Sequence, residues 1–355
     1  MRKELFYIIF FSLLFVSCED IYKPDLKIVP GAMVVEAHLT NDPNQNFVKL
    51  SIARDFYSVN QEERITGARV EVVEGGNNSI SATETEEGYY TFPETPVPGG
   101  KYMLRINYSG DIFESDQVTM PPLPTIDTLY TKHSIVKSYQ TDSYGNPMLI
   151  ETPGREICID ASITPELEYY RFSWRAIIQW MYNFPTVGGP PPPSLFGWKS
   201  IYQSGQFDLA GPKQFSVSDK IESHPILFLG YDSYAYLDST AQIPNGWIVI
   251  IKQYGISKES YDFHDKLNKQ LTAEGSLFDP VLTQVYGNIH CKTDPAKIVL
   301  GFFDLNSYRQ YRYYINIVGN SELNFVNQRR LNRYPDIPNR GYVEGNPPIF
   351  WEYKR

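Results

Sequence analysis

The chain reads as mainly β: an N-terminal antiparallel β-sandwich followed by a larger β-rich domain with one or two helices. Three observations carry this expectation: short apolar runs of period two, turn residues between them, and a tyrosine-heavy composition. Apolar and polar residues that alternate put one face of a strand against a core and the other toward water. Aromatic residues make up 15% of the 355 positions, with 27 Tyr against 20 Phe. That balance suits wide, half-exposed sheets and surfaces that contact a partner.

Ordered structure is expected from Gly31. Met33 to Leu39, Val48-Leu50-Ile52, Ala68-Val70-Val72, Tyr90-Phe92, Tyr102-Leu104-Ile106-Tyr108 and Ile112 to Val118 each alternate as strands do. Asn41-Asp42-Pro43-Asn44, Gly75-Gly76-Asn77-Asn78, Pro96 to Gly100 and Ser109-Gly110-Asp111 separate them with turn chemistry. So many short strands in under 100 residues define a sandwich module at 31–120. Gly67-Ala68-Arg69-Val70-Glu71-Val72, with Gly88-Tyr89-Tyr90-Thr91-Phe92 and Gly99-Gly100-Lys101-Tyr102, resembles the prealbumin-like, immunoglobulin-like or carboxypeptidase-regulatory-like modules of surface proteins.

Met120-Pro121-Pro122-Leu123-Pro124 lacks three backbone donors, cannot lie inside a sheet, and marks a boundary. A second domain follows at 125–355. Residues 127 to 135 read as a strand and Lys137 to Thr152 as a polar, turn-rich loop. Ile157-Ile159-Ala161-Ile163 alternates cleanly. So does Tyr170-Phe172-Trp174-Ala176-Ile178-Trp180, whose opposite face carries Arg171, Ser173, Arg175 and Gln179. Further strands are expected at Ile226 to Leu229, Trp247 to Tyr254, Ile298 to Phe303 and Tyr311-Tyr313-Ile315-Ile317. One helix is expected from about Lys258 to Ala273, with Ser257 as N-cap, Tyr261, His264, Leu267 and Leu271 as one stripe, and Gly275 as the stop.

The N-terminus directs the chain out of the cytoplasm. Met1-Arg2-Lys3-Glu4 precedes an apolar run from Leu5 to Val16 broken only by Ser12, and Ser17-Cys18-Glu19-Asp20 closes it. This is a signal-peptide pattern, and the run falls short of the roughly 20 apolar residues a spanning helix needs. Phe15-Val16-Ser17 before Cys18 resembles a relaxed form of the lipobox of bacterial lipoproteins, in which the cysteine is acylated and becomes the new N-terminus. Residues 1–17 are thus expected to be removed, Cys18 lipidated, and 18–30 to act as a tether. Two or more acyl chains hold a protein on a membrane durably. The alternative is an ordinary secretory signal with a free thiol at Cys18. Glu19-Asp20 reads either as a short surface-export signal or as a solvated part of the tether. An outer-membrane anchor, on the cell-surface or the periplasmic face, is the expected location.

Cleavage removes Arg2, Lys3 and Glu4 and makes the chain one unit more acidic than the formal −9 of the whole sequence. An acidic body without a basic tract excludes nucleic-acid binding by phosphate neutralisation. Cys158 and Cys291 remain after the anchor. An oxidising compartment allows them to pair as a disulfide, and two buried free thiols are the other outcome.

A later set of segments has a family look: Glu274-Gly275-Ser276-Leu277-Phe278-Asp279-Pro280, then Val285-Tyr286-Gly287-Asn288-Ile289, Asp294-Pro295 and Val299-Leu300-Gly301-Phe302-Phe303. With the Tyr261 to Leu271 helix, the boundary before Ile126-Asp127-Thr128-Leu129 and the Gly67-Ala68 module, this order resembles the domain-of-unknown-function 4249 family of outer-membrane lipoproteins. The resemblance implies a lipid-anchored accessory or binding protein that partners a TonB-dependent outer-membrane transporter in substrate capture. It implies no enzyme activity.

The residues themselves offer no local active-site motif. His38, His133, His224, His264 and His290 are scattered singly, without zinc spacing, and neither a nucleophile elbow nor a phosphate or calcium loop is present. No cofactor and no metal are expected. The segment Tyr182 to Trp198 contains four consecutive prolines flanked by glycines and aromatics. A stiff polyproline loop carrying Phe184, Phe196 and Trp198 would meet a partner or ligand at low entropic cost. Its aromatics folding back onto the domain is the alternative. Two other readings stay open: a surface hydrolase acting on glycan or peptide through carboxylates that converge only in three dimensions, and a structural adhesin.

Overall fold

A computed structural model of the chain describes residues 31–54, 63–76, 78–182, 195–212, 220–230, 242–272, 284–316 and 322–325. The predicted β character holds. The first module contains β1 (Met33–Leu39), β2 (Phe47–Ile52), β3 (Arg69–Glu74), β4 (Asn78–Ser81), β5 (Thr83–Glu86), β6 (Tyr89–Thr91), β7 (Lys101–Tyr108), β8 (Asp111–Ser115) and β9 (Val118–Thr119). Alternation decides which side chains go inward. On β1, Val35, Ala37 and Leu39 are buried while Glu36 faces water. The turn after β1 is built as its residues dictate: Asp42 accepts from the Asn44 N–H to start a short 3-10 turn, and Asn46 accepts from Thr40 N at 2.6 Å.

The second half supplies β10 (Thr128–Thr141), β11 (Pro147–Ser162), β12 (Tyr169–Tyr182), β13 (Leu195–Tyr202), β14 (Asp208–Ala210), β15 (Lys220–Gly230) and β16 (Gln242–Ile256). After the helix α1 (Lys258–Leu271) come β17 (Ile289–Cys291), β18 (Val299–Leu305), β19 (Ser307–Asn316) and β20 (Glu322–Phe325). Four sheets result. Two form the first sandwich, with orders β18-β1-β2-β6-β5 and β17-β8-β7-β3-β4 plus β9 on β7. Val35, Leu50, Val72, Tyr90, Leu104, Ile106 and Phe303 fill the space between them. The other two, β10-β11-β15 and β13-β12-β16-β19-β20 with β14 on β12, close on Ile157, Ile159, Tyr170, Phe172, Val249, Ile251 and Tyr313.

Residues 289–305 return to the first module, so the sandwich expected at 31–120 is completed from far along the chain. β18 runs parallel to β1, from Met33↔Val299 to Leu39↔Leu305, and β17 pairs with β8. A parallel neighbour demands a crossover, and here the chain between the two strands is the rest of the first module and most of the second. The proline-rich segment before β10 carries no strand, as expected. It is stapled to the second module instead: Ser307 Oγ donates to Pro122 O at 2.5 Å, Gln253 Nε2 to Thr125 O at 3.2 Å, and Ile126 N to Tyr311 Oη at 3.0 Å.

Two sequence expectations need correction. Lys137 to Thr152 is not a loop: β10 and β11 pair continuously out to Thr141↔Pro147, and only residues 142–146 turn. Pro147 and Pro153 lie on the stretch of β11 that the described part of β15 does not reach, where a missing donor breaks no second ladder among the described residues. Second, β12 continues to Tyr182 and β13 begins at Leu195, so Phe196 and Trp198 belong to a paired strand rather than to a projecting loop. Of the two outcomes left open for the cysteines, the structure has the free thiols: Cys158 on β11 and Cys291 on β17 are buried, lie on strands of different sheets and are not bridged.

The helix starts as predicted and its described part ends at Leu271 with Thr272 as C-cap, while Ala273 and Gly275, the expected end and stop, lie outside the described residues. Ser257 Oγ accepts from Ser260 N at 3.1 Å, and the buried face is Ser260, Tyr261 and His264. Leu271, expected on that stripe, is the last helical residue and is exposed. Among the described residues no helix is long and apolar enough to cross a membrane.

Candidate functional site

The two modules meet around one buried carboxylate. Asp304, on β18 of the first sandwich, is 6% exposed. Ser260 of α1 donates to its Oδ1 at 2.5 Å, and the Arg171 guanidinium of β12 reaches Oδ2 at 3.3 Å. His38 of β1 lies 3.6 Å from Oδ2 and His264 of α1 lies 3.9 Å from it. Burial alone would raise the Asp304 pKa. The His38 imidazole and the charges of His264 and Arg171 outweigh it and hold the carboxyl well below the usual range. Burial pushes both imidazoles below their ordinary value, so at neutral pH Arg171 is the cation that faces the carboxylate.

Ser, His and Asp here have the residue types of a nucleophilic triad but not its wiring. Ser260 gives its proton to the carboxylate, is 1% exposed, and His264 Nδ1 sits 2.8 Å from the Ser260 carbonyl one helical turn back. No substrate atom can approach that hydroxyl, so the cluster reads as a joint. Around it, Tyr254 packs under Arg171 with its ring centre 4.5 Å from the guanidinium carbon and donates to Gln45 Oε1 of the first module at 2.9 Å. Asn41 of the same turn exchanges two hydrogen bonds with the Tyr308 backbone.

The polar face of β12 continues from this joint into an open pocket. Residues directly opposite in antiparallel strands share a face, and the registers of β12, β16 and β19 align Arg171 with Tyr254 and Tyr308, then Ser173 with Lys252 and Gln310, then Arg175 with Ile250 and Arg312. Residues 203–207, which link β13 to β14, arch beside these rows. Gln203 Oε1 accepts from Trp174 N at 3.2 Å, and Asn268 of α1 clamps the Phe207 backbone through bonds of 2.7 Å each way. The enclosed space is about 360 Å³, and Arg171, Arg175, Lys252, Gln310, Tyr202 and Gln203 are among its lining residues. Among the described residues no Asp or Glu lines it. Arg175 donates to Ser200 Oγ at 2.9 Å and stacks at 5.1 Å over Tyr202.

A second feature is an arm. β15 covers β11 as far out as Gly154, and among the described residues β10 and β11 continue from there as a two-stranded ribbon through seven more residue pairs, about 23 Å at the usual rise. One face carries Ile135, Tyr139 and Leu149 and the other Val136 and Met148, all exposed, with Tyr144 at the tip 88% exposed. Asp142 Oδ1 accepts from the Tyr144 and Asn146 N–H groups and so closes the tip, while Lys137 and Glu151 pair across the ribbon at 2.8 Å.

The sequence-derived candidates lie apart from both features or outside the described residues. Cys18 and Phe184 are outside them, as are the side chains of Phe196 and Trp198, whose backbones pair with Met181 and Gln179. Of the histidines, only His38 and His264 come together. His224 pairs with Asp208 at 2.7 Å, and His290 lies 3.5 Å from Asp116 on the surface. Among the described residues no group of three or more His, Cys, Asp or Glu side chains is set to hold a metal. The pocket had one signal in sequence, the Arg171-Ser173-Arg175 face of an otherwise apolar strand.

No curated protein and no solved structure matches the chain. The family model described as a domain of unknown function, DUF4249, matches residues 19–312, most of the sequence, and the chain belongs to that family.

Proposed function

We propose that the protein is a lipid-anchored accessory lipoprotein of the outer membrane that docks on a TonB-dependent transporter and helps capture its substrate. The arm formed by β10 and β11 is the observation that carries this reading. A two-stranded ribbon is marginal in water on its own, and contiguous exposed apolar side chains mark interaction sites on otherwise polar surfaces. Tyr139 and Tyr144 are the type of residue that anchors interfaces, an apolar body with a polar tip at low entropic cost. The signal-peptide pattern ending at Cys18 supports the anchor, and the acidic composition argues against a nucleic-acid partner.

The test is an affinity pull-down of the tagged, lipidated protein from detergent-solubilised outer membranes, read by mass spectrometry beside Cys18→Ala and Tyr139→Ser/Leu149→Ser variants. Stoichiometric recovery of a TonB-dependent barrel with the wild type, lost in the arm variant whose melting temperature is unchanged, is the expected result. Recovery of the wild-type protein alone from membranes where it is abundant would sink the reading.

A further inference from the structure

We infer that the pocket over β12, β16 and β19 is a binding site for a small oxyanion, a ligand bearing carboxylate or phosphate groups. The inference deepens the capture reading by naming a ligand class, and it rests on that reading for its biological role. Three cationic side chains, Arg171, Arg175 and Lys252, line the pocket, and among the described residues no carboxylate does. This is notable in a protein of formal charge −9. In a concave site with low-dielectric walls, charges of one sign reinforce each other and draw in the opposite one.

Arginine geometry narrows the class further. A guanidinium presents a planar fork of donors that matches carboxylate and phosphate oxygens, and stacking on an aromatic ring holds the fork in one orientation. Both arginines are stacked this way, Arg171 on Tyr254 and Arg175 on Tyr202. Arg171 spends one terminal nitrogen on Asp304. Lys252 adds a point charge between the two arginine rows, and Gln310 and Gln203 add amides that can accept or donate to hydroxyl groups on the same ligand. A volume of about 360 Å³ admits a compact metabolite-sized molecule and excludes a folded partner.

The experiment is isothermal titration of the purified, detergent-solubilised full-length protein with citrate, with pyrophosphate and with glucose as a neutral probe, at low and high salt. Binding of citrate alone assigns the carboxylate source, binding of pyrophosphate alone the phosphate source, and binding of both a general oxyanion site. In each case Lys252→Gln should weaken binding by about tenfold, as loss of a charge-assisted contact does, and added salt should weaken it further. Arg175→Gln is the second variant, accepted for comparison only if its melting curve matches the wild type. Absence of binding to both anions at millimolar concentration, equal binding of glucose, or affinity indifferent to Lys252→Gln would overturn the assignment. Transporter recovery with Lys252→Gln, measured by the pull-down above, tests docking separately, so loss of one result does not entail loss of the other.

Discussion

Arg171 and Asp304 stand 133 residues apart in the chain and 3.3 Å apart in the fold, one on a strand of each module. The pair is mostly buried, with side-chain exposures of 15% and 9%. Removing one partner of a buried pair strands the other charge in a low-dielectric site, which costs about 3–5 kcal/mol. Asp304→Asn should therefore lower stability by about that amount, measured by urea denaturation. The double variant Arg171→Met/Asp304→Leu should recover much of the loss, because it leaves no orphaned charge. If the single variant costs no more than a surface substitution, the joint does not hold the modules together.

The same cluster makes stability depend on pH in two windows. Burial depresses the His38 and His264 pKa values, so as pH falls below about 6.5 the unfolded chain takes up protons that the folded chain refuses. The unfolded state then binds more protons, and stability declines with falling pH by up to about 1.4 kcal/mol per unit for each imidazole. Asp304 is also depressed, chiefly by the imidazoles and Arg171 once burial is overcome. Its contribution is complete above about pH 4 and is lost as pH falls further. Melting temperatures taken from pH 7.5 to 4.5 should fall through the first window, and His38→Asn should flatten that slope. An identical profile in the variant would remove His38 from the account.

Gly301 explains one glycine of the family-like segment Val299 to Phe303. Its φ is +94°, and a Cβ there would lie 1.9 Å from the Val35 carbonyl oxygen, inside the parallel pairing of β18 with β1. Gly301→Ala combines backbone strain with a collision that no side-chain rotation relieves, and should cost well over the ~1–3 kcal/mol of strain alone. Gly145→Ala is the control: φ is +86° at the arm's turn, with no atom within 4 Å of the added Cβ. Denaturation midpoints that shift equally in the two variants would show strain without collision.

What was legible in the sequence was local. Alternation at Met33 to Leu39 and from Tyr170 to Ser173, and the Ser257 cap of α1, depend on residues within a few positions of each other, and the structure realises them. The pairing of β18 with β1 is long-range, and nothing in Val299 to Leu305 names Met33 to Leu39 as its neighbour. The Asp304 joint draws on β1, β12, β18 and α1, so its members look like isolated polar residues until the fold closes. The arm reads as a loop in sequence for a different reason. Its stretch of β11 carries two prolines and both of its faces mix polar with apolar residues, because neither face packs on a core; only cross-strand pairs such as Lys137 with Glu151 identify it as a ribbon.

Thiol counting tests the anchor and the cysteine assignment together. The chain has three cysteines. Cys158 and Cys291 are free and at most 4% exposed, and burial raises the Cys158 thiol, so little of it is the reactive thiolate at neutral pH. The native protein purified from membranes should therefore resist alkylation by iodoacetamide at both positions, and unfolding in guanidinium without reductant should release two alkylatable thiols. Cys18 should contribute none, because lipidation occupies its sulfur. Three modified thiols on unfolding would mean an unlipidated Cys18 and remove the anchor. No modified thiols until a reductant is added would mean that Cys158 and Cys291 are bridged, which demands that β11 and β17 approach each other as they do not in this fold.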